Sequence, residues 1–99
     1  MSTIGTFVKN GDRFEGTIRT LNLNANASIV PVERESDTAP DYRVYSGPAE
    51  FGAAWARTSK NENPYLSVLL DDPSLPAAIN ARLLQAEGDT WHLVWTRQK

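Results

Sequence analysis

Three observations predict an all-β fold. Apolar and polar residues alternate at a period close to two, turn-forming Gly, Asn and Pro recur roughly every 8–15 residues, and no strand–helix–strand alternation appears. The expected architecture is one small antiparallel domain spanning residues 1–99, with seven to eight short strands in a meander curled into a barrel or a sandwich.

Residues 3–8 make the first expected strand. Asn10-Gly11-Asp12 then supplies a hairpin turn, because Asn and Gly accept positive φ. In residues 13–19, Phe14 and Ile18 share one face while Glu15, Thr17 and Arg19 share the other, the pattern of a half-buried strand. Residues 24–32 alternate more weakly, with Ala25, Ala27 and Ile29 together. Pro31 cannot donate to a ladder, which predicts an edge strand or a strand end. Residues 33–40, charged and closed by Pro40, are the expected loop. Residues 42–45 follow as a strand, with Ser46-Gly47-Pro48 as its turn.

The stretch 51–73 is the centre of the pattern, one long hairpin. Its first arm, residues 50–57, places Phe51, Ala53 and Trp55 on the expected core face and Gly52, Ala54 and Ala56 on the other. A polar turn, Thr58 through Pro64, follows. The return arm turns Leu66, Val68 and Leu70 inward and Tyr65, Ser67, Leu69 and Asp71 outward, and ends at Asp71-Asp72-Pro73. The second face of this hairpin, with Gly52, Ala54, Tyr65 and Ser67, is small and polar, and is the expected working surface. Residues 77–87 admit a helix with Ile79, Leu83 and Leu84 on one side, or a strand with Ile79, Ala81 and Leu83 inward. The tight Glu87-Gly88-Asp89 connection to an alternating strand at 89–96, with Trp91, Leu93 and Trp95 together, favours the strand.

Composition narrows the function classes. Hydrophobic content of 40%, with three each of Trp, Tyr and Phe, argues against disorder. No cysteine is present, which excludes a disulfide framework, thiolate metal ligands and a cysteine nucleophile, and favours a cytoplasmic location. Met1-Ser2-Thr3-Ile4-Gly5 lacks the basic and apolar regions of a signal peptide, and no run approaches the roughly 18 apolar residues of a membrane helix, so no membrane partner is expected. The charge is −2, from ten basic and twelve acidic residues, and each half of the chain carries five basic and six acidic groups. That balance opposes a broadly basic nucleic-acid binder but allows a local patch.

Catalytic equipment is sparse. His92 is the single histidine and falls on the outward face of its strand. Asp71-Asp72 could only be joined with Glu50 or Glu87 as paired carboxylates, yet consecutive strand residues point to opposite faces and Asp-Asp-Pro is a strand terminator. No phosphate loop, dinucleotide fingerprint or nucleophile elbow occurs. No enzyme activity, cofactor or metal is expected. The arginines stand out instead: Arg13, Arg19, Arg43, Arg57, Arg82 and Arg97 put a cation on or beside nearly every expected strand. Gathered on one face with Tyr45, Tyr65 and Trp91, they would track phosphates while the rings stack bases. Scattered, each would cover its strand with an aliphatic stem and pair with an acidic neighbour.

A series of motifs then appears in order: Ile4-Gly5-Thr6-Phe7, Phe14-Glu15-Gly16-Thr17-Ile18-Arg19-Thr20-Leu21, Ala39-Pro40-Asp41-Tyr42-Arg43-Val44, Gly52-Ala53-Ala54-Trp55, Tyr65-Leu66-Ser67-Val68 and Leu70-Asp71-Asp72-Pro73. Together they closely resemble the bacterial domain of unknown function 736 family, over nearly the whole chain. The resemblance implies a setting in alphaproteobacteria, often on plasmids and integrative conjugative elements, and carries no established activity and no catalytic residues. Similar members often have a Gly near the turn where this chain has Asn61-Glu62-Asn63-Pro64. The expected function is a non-catalytic binding module that contacts single-stranded nucleic acid or a nucleoprotein complex through Arg19, Arg43, Arg57, Tyr65 and Arg82. The alternative is a protein-interaction module, a homo-oligomer joined through an edge strand near Pro31 or along the hairpin at 50–71.

Overall fold

A computed structural model of the chain describes residues 2–20, 24–73 and 77–95. It contains eight strands and no helix: β1 (Ser2–Asn10), β2 (Arg13–Arg19), β3 (Asn24–Pro31), β4 (Tyr42–Ser46), β5 (Ala49–Thr58), β6 (Pro64–Leu70), β7 (Ile79–Glu87) and β8 (Thr90–Trp95). Each strand pairs antiparallel with the next, and β8 pairs back with β1, closing the meander into a barrel. Within 77–87, residues 79–87 are therefore strand, as the tight turn after them predicts. Arg97 lies outside the described residues.

The turns follow from local chemistry. Gly11-Asp12, Gly47-Pro48 and Gly88-Asp89 each close a two-residue hairpin, with Asn10 opposite Arg13, Ser46 opposite Ala49 and Glu87 opposite Thr90. The first turn residue is in every case a glycine at positive φ, 67°, 59° and 52°, the geometry whose twist matches the flanking strands.

Inward-facing side chains fill the barrel. Phe7, Ile18, Ile29, Val44, Val68, Leu70, Leu83 and Leu93 are the largest fully buried ones. Phe14 stands edge-on to Trp91, with ring centroids 5.1 Å apart, and also to Tyr42, at 6.1 Å. The Tyr42 hydroxyl titrates above its usual value because burial, and then the charges of Asp41 and Asp12, oppose its ionised form. No charged or polar side chain is buried among the described residues. This apolar-in, polar-out pattern is the reverse of that of membrane-embedded barrels. Among the described residues no helix is long and apolar enough to cross a membrane.

Close strand approach explains one interior glycine. Gly16 lies opposite Phe7. A Cβ there would overlap the Thr6 carbonyl and approach the Phe7 Cα to 2.8 Å, so only Gly lets β1 and β2 coil this tightly.

Two expectations need correction. The first concerns β5. A bulge at Val44/Tyr45 pairs Val44 with Gly52 but Tyr45 with Glu50, so Phe51 is the extra residue and both Phe51 and its successor Gly52 turn inward. From there Gly52, Ala54 and Ala56 lie opposite Leu70, Val68 and Leu66 on the inner face, and Ala53, Trp55 and Arg57 face out. Ala54 is fully buried. Trp55 therefore leaves the expected core face. Gly52 and Ala54 leave the expected working face, while Tyr65 and Ser67 stay on it. The small residues of β5 make room for the leucines of β6.

The second concerns edges: of the two alternatives at Pro31 the strand end holds and the edge strand does not. β3 lies between β2 and β4, and Pro31 is its last residue, opposite Tyr42. The missing amide falls at the strand end, where the ladder tolerates it. Pairing with β4 covers Ser28–Pro31 alone, so Asn24–Ala27 have a ladder partner only on the β2 side among the described residues.

Candidate nucleic-acid interface

In a closed barrel the candidate residues can be placed by strand order and register. The outer faces of β5, β6, β7 and β8 meet in two adjacent rows. In one, Arg57 lies opposite Tyr65, Tyr65 opposite Leu84, and Leu84 opposite His92. In the other, Trp55 lies opposite Ser67, Ser67 opposite Arg82, and Arg82 opposite Val94. Arg82 is thus diagonal to Tyr65, and its guanidinium sits 5.6 Å from the ring centroid, within cation–π reach. Arg57 is exposed one strand away, and its Nη1 donates to the neighbouring Ala56 carbonyl at 3.3 Å.

Ion pairing divides the arginines. Arg13 meets Glu15 at 3.9 Å, Arg34 meets Asp41 at 3.5 Å and Arg43 meets Glu50 at 3.5 Å. Among the described residues no ion pair joins Arg19, Arg57 or Arg82 to a carboxylate. The predicted set separates accordingly. Arg57, Tyr65 and Arg82 come together. Arg43 lies on β4, opposite Ala53, with its charge engaged by Glu50. Arg19 is exposed on β2, three strands from β5 and so about 135° around the barrel.

A hollow of about 430 Å³ opens beside Tyr65, lined by Ser59, Asn63, Pro64, Leu84, Gln85 and Ala86 as well. Two of its polar groups are committed to local structure: Ser59 Oγ accepts the Asn63 amide at 3.2 Å, and Gln85 Nε2 donates to the Gly88 carbonyl at 2.9 Å. The residues that sequence reasoning did not single out here are Asn63, Leu84 and Gln85. Nothing in the strand pattern flags them, because only the pairing of β6 with β7 brings Leu84 against Tyr65.

The loop at 32–41 covers the other end of this face. Asp41 organises it. Its amide donates to the Ala54 carbonyl at 2.9 Å, and its Oδ2 accepts the Ala56 amide at 2.8 Å. The carboxylate thus continues the β5 ladder beyond Ala54, ahead of the first residue of β4. Trp55 Nε1 donates to the Thr38 carbonyl at 3.1 Å, pinning the loop to the outward ring. Trp55 is partly buried by this cover, not by the core.

His92 and the Asp71-Asp72 pair stay apart. His92 lies opposite Leu84, whereas Asp71 follows Leu70, which lies opposite Ile79. The intervening length of β7 is about 16 Å at ~3.3 Å per residue. Among the described residues no group of three His, Cys, Asp or Glu side chains is placed to hold a metal ion.

A family model described as a protein of unknown function, DUF736, matches residues 3–98. The chain belongs to the DUF736 family. No curated protein and no solved structure matches it significantly. For this DUF736 member the outer face of β5–β7 is therefore argued from its own geometry.

Proposed function

We propose that the protein is a non-catalytic module that binds single-stranded nucleic acid on the outer face of β5, β6 and β7. The observation that carries this is the Arg82 guanidinium 5.6 Å over the Tyr65 ring, with Arg57 opposite Tyr65 on the next strand. Arg82 holds the phenol ring in place, so a base that stacks there loses little side-chain entropy. Arg57 and Arg82 flank the ring as phosphate partners, and the hollow beside Tyr65 receives the neighbouring base. Affinity is modest, because two arginines on an acidic protein release few counterions. The association of similar proteins with plasmids and conjugative elements supports this choice of ligand, in the cytoplasm, alone or within a nucleoprotein complex. Self-association through an edge strand has less support, because among the described residues only short stretches, such as Asn24–Ala27 of β3 and Trp55–Thr58 of β5, lack a second neighbouring strand in the ladder.

The test is fluorescence polarisation with labelled single-stranded DNA and RNA at about 50 and 200 mM salt. Saturable binding is expected, with a salt slope of about −0.7 for each phosphate neutralised. Arg57→Ala with Arg82→Ala should lower that slope by about 1.4, and Tyr65→Leu should cost about 1–3 kcal/mol with the slope unchanged. Arg19→Ala should bind as the parent does. Absence of saturable binding at the lower salt sinks the proposal.

A further inference from the structure

A second surface lies on the other side of Trp55. Pro40, Arg43, Glu50, Gly52, Ala53, Trp55, Leu69 and Asp71 line a groove of about 310 Å³ on the outside of β4, β5 and β6. Its floor is Ala53, which faces outward yet is only 7% exposed, because the taller neighbours Trp55 and Leu69 and the loop residue Pro40 stand around it. Pro40 and Arg43 also border a smaller hollow of about 160 Å³ with Val32, Glu33, Glu35 and Ala39. The two depressions share Pro40 and Arg43 in their linings, and the pair is called the trough.

The charges around the trough are unequal. Glu50 and Asp71 border the groove, Glu33 and Glu35 border the hollow, and Arg43 is the one cation among these lining residues. Arg43 is already engaged by Glu50 at 3.5 Å. Asp71 has no ion pair among the described residues and is exposed. An aromatic wall, an apolar floor and three carboxylates without a resident cation suit a guanidinium on a flexible stem. The stem lies along Ala53 and Leu69, the planar head stacks on Trp55, and Asp71 accepts from it.

We infer that this trough is a docking site for an extended, arginine-bearing segment of a partner protein, with one arginine in the groove against Trp55 and Asp71 and a second basic residue over Glu33 and Glu35. Charge complementarity selects this occupant. An acidic or phosphate-bearing ligand meets like charge there, and a purely apolar segment leaves the carboxylates without partners. The site is separate from the Arg57–Tyr65–Arg82 face, so the barrel offers surfaces of opposite sign on either side of Trp55.

The test is a two-dimensional 15N NMR titration of the full chain with the peptide Gly-Arg-Gly-Arg-Gly at low salt, and with its citrulline analogue as the neutral isostere. Saturable shifts are expected at Ala53, Leu69, Asp71 and the Trp55 indole, and none with citrulline. Asp71→Asn should weaken binding at least fivefold. Ala53→Leu, which fills the groove from the solvent side, should abolish it while the spectrum of the free variant keeps its native dispersion. Shifts that map to β6 and β7, survive Ala53→Leu, or are equal with citrulline would overturn the inference, as would no saturable shift at all. These variants leave Arg57, Tyr65 and Arg82 intact, so oligonucleotide binding is measured independently in the same samples.

Discussion

Glu62 carries a backbone conformation that its side chain does not favour. Its φ is 63°, the one positive value outside glycine among the described residues. The turn explains why. The Glu62 amide donates to the Ser59 carbonyl and the Ser59 amide to the Asn63 carbonyl, each at 2.9 Å, so a β-turn is followed by a left-handed residue that returns the chain to β6. A glycine meets that requirement without strain. Glu62→Gly should therefore stabilise the protein by about 0.5–1 kcal/mol, raising Tm by a few degrees in a thermal melt. An unchanged or lowered Tm would mean that Glu62 makes a compensating contact. That a polar turn lies between Thr58 and Pro64 is visible without a structure, but which residue takes positive φ depends on where the hydrogen bonds close.

Among the elements, the loop at 32–41 is the one whose character changes most between sequence and fold. Its charges and Pro40 mark it as a loop, and it is one. Its role as a clasp over β5 is not visible, because it rests on Asp41 meeting an amide on a strand that lies next to it only once β4 has turned back. Asp41→Ala removes the acceptor for Ala56 and the partner of Arg34. The groups involved are solvent-accessible, so the cost should be only about 1 kcal/mol by chemical denaturation. The stronger signal should be local: hydrogen exchange at the Trp55 indole accelerates as its bond to the Thr38 carbonyl loosens. Unchanged exchange would show that the loop is held without Asp41. The strands themselves are largely legible. Phe14 with Ile18, Leu66 with Leu70, and Trp91 with Leu93 alternate as the core requires, since a strand buried on one face alternates with period two. β5 departs from this because the bulge at Val44/Tyr45 resets the phase after Phe51, and a bulge has no signature in a single strand's sequence.

Across the whole molecule, stability and recognition should respond to salt in different ways. The three ion pairs among the described residues all have accessible side chains, and such pairs contribute about 0–1 kcal/mol each. The barrel is held by its apolar interior and its closed ladder. Raising NaCl from about 50 to about 500 mM should move Tm by less than about 5 °C, while oligonucleotide binding falls steeply over the same range. A large Tm shift would show that surface charge bears on the fold itself. The barrel also sets which predicted site residues can act together. Arg57, Tyr65 and Arg82 converge because β5, β6 and β7 are neighbours, and Arg19 is excluded because β2 lies three strands from β5.

By itself the sequence determined the all-β class, the position of the tight turns and the family, because each depends on residues close together in the chain. The tertiary structure alone decided which face of β5 is inside, that the meander closes, and which arginines stand free of carboxylates beside an aromatic ring. Those outcomes depend on register between strands and on closure of β8 onto β1, contacts between residues far apart that no local pattern encodes.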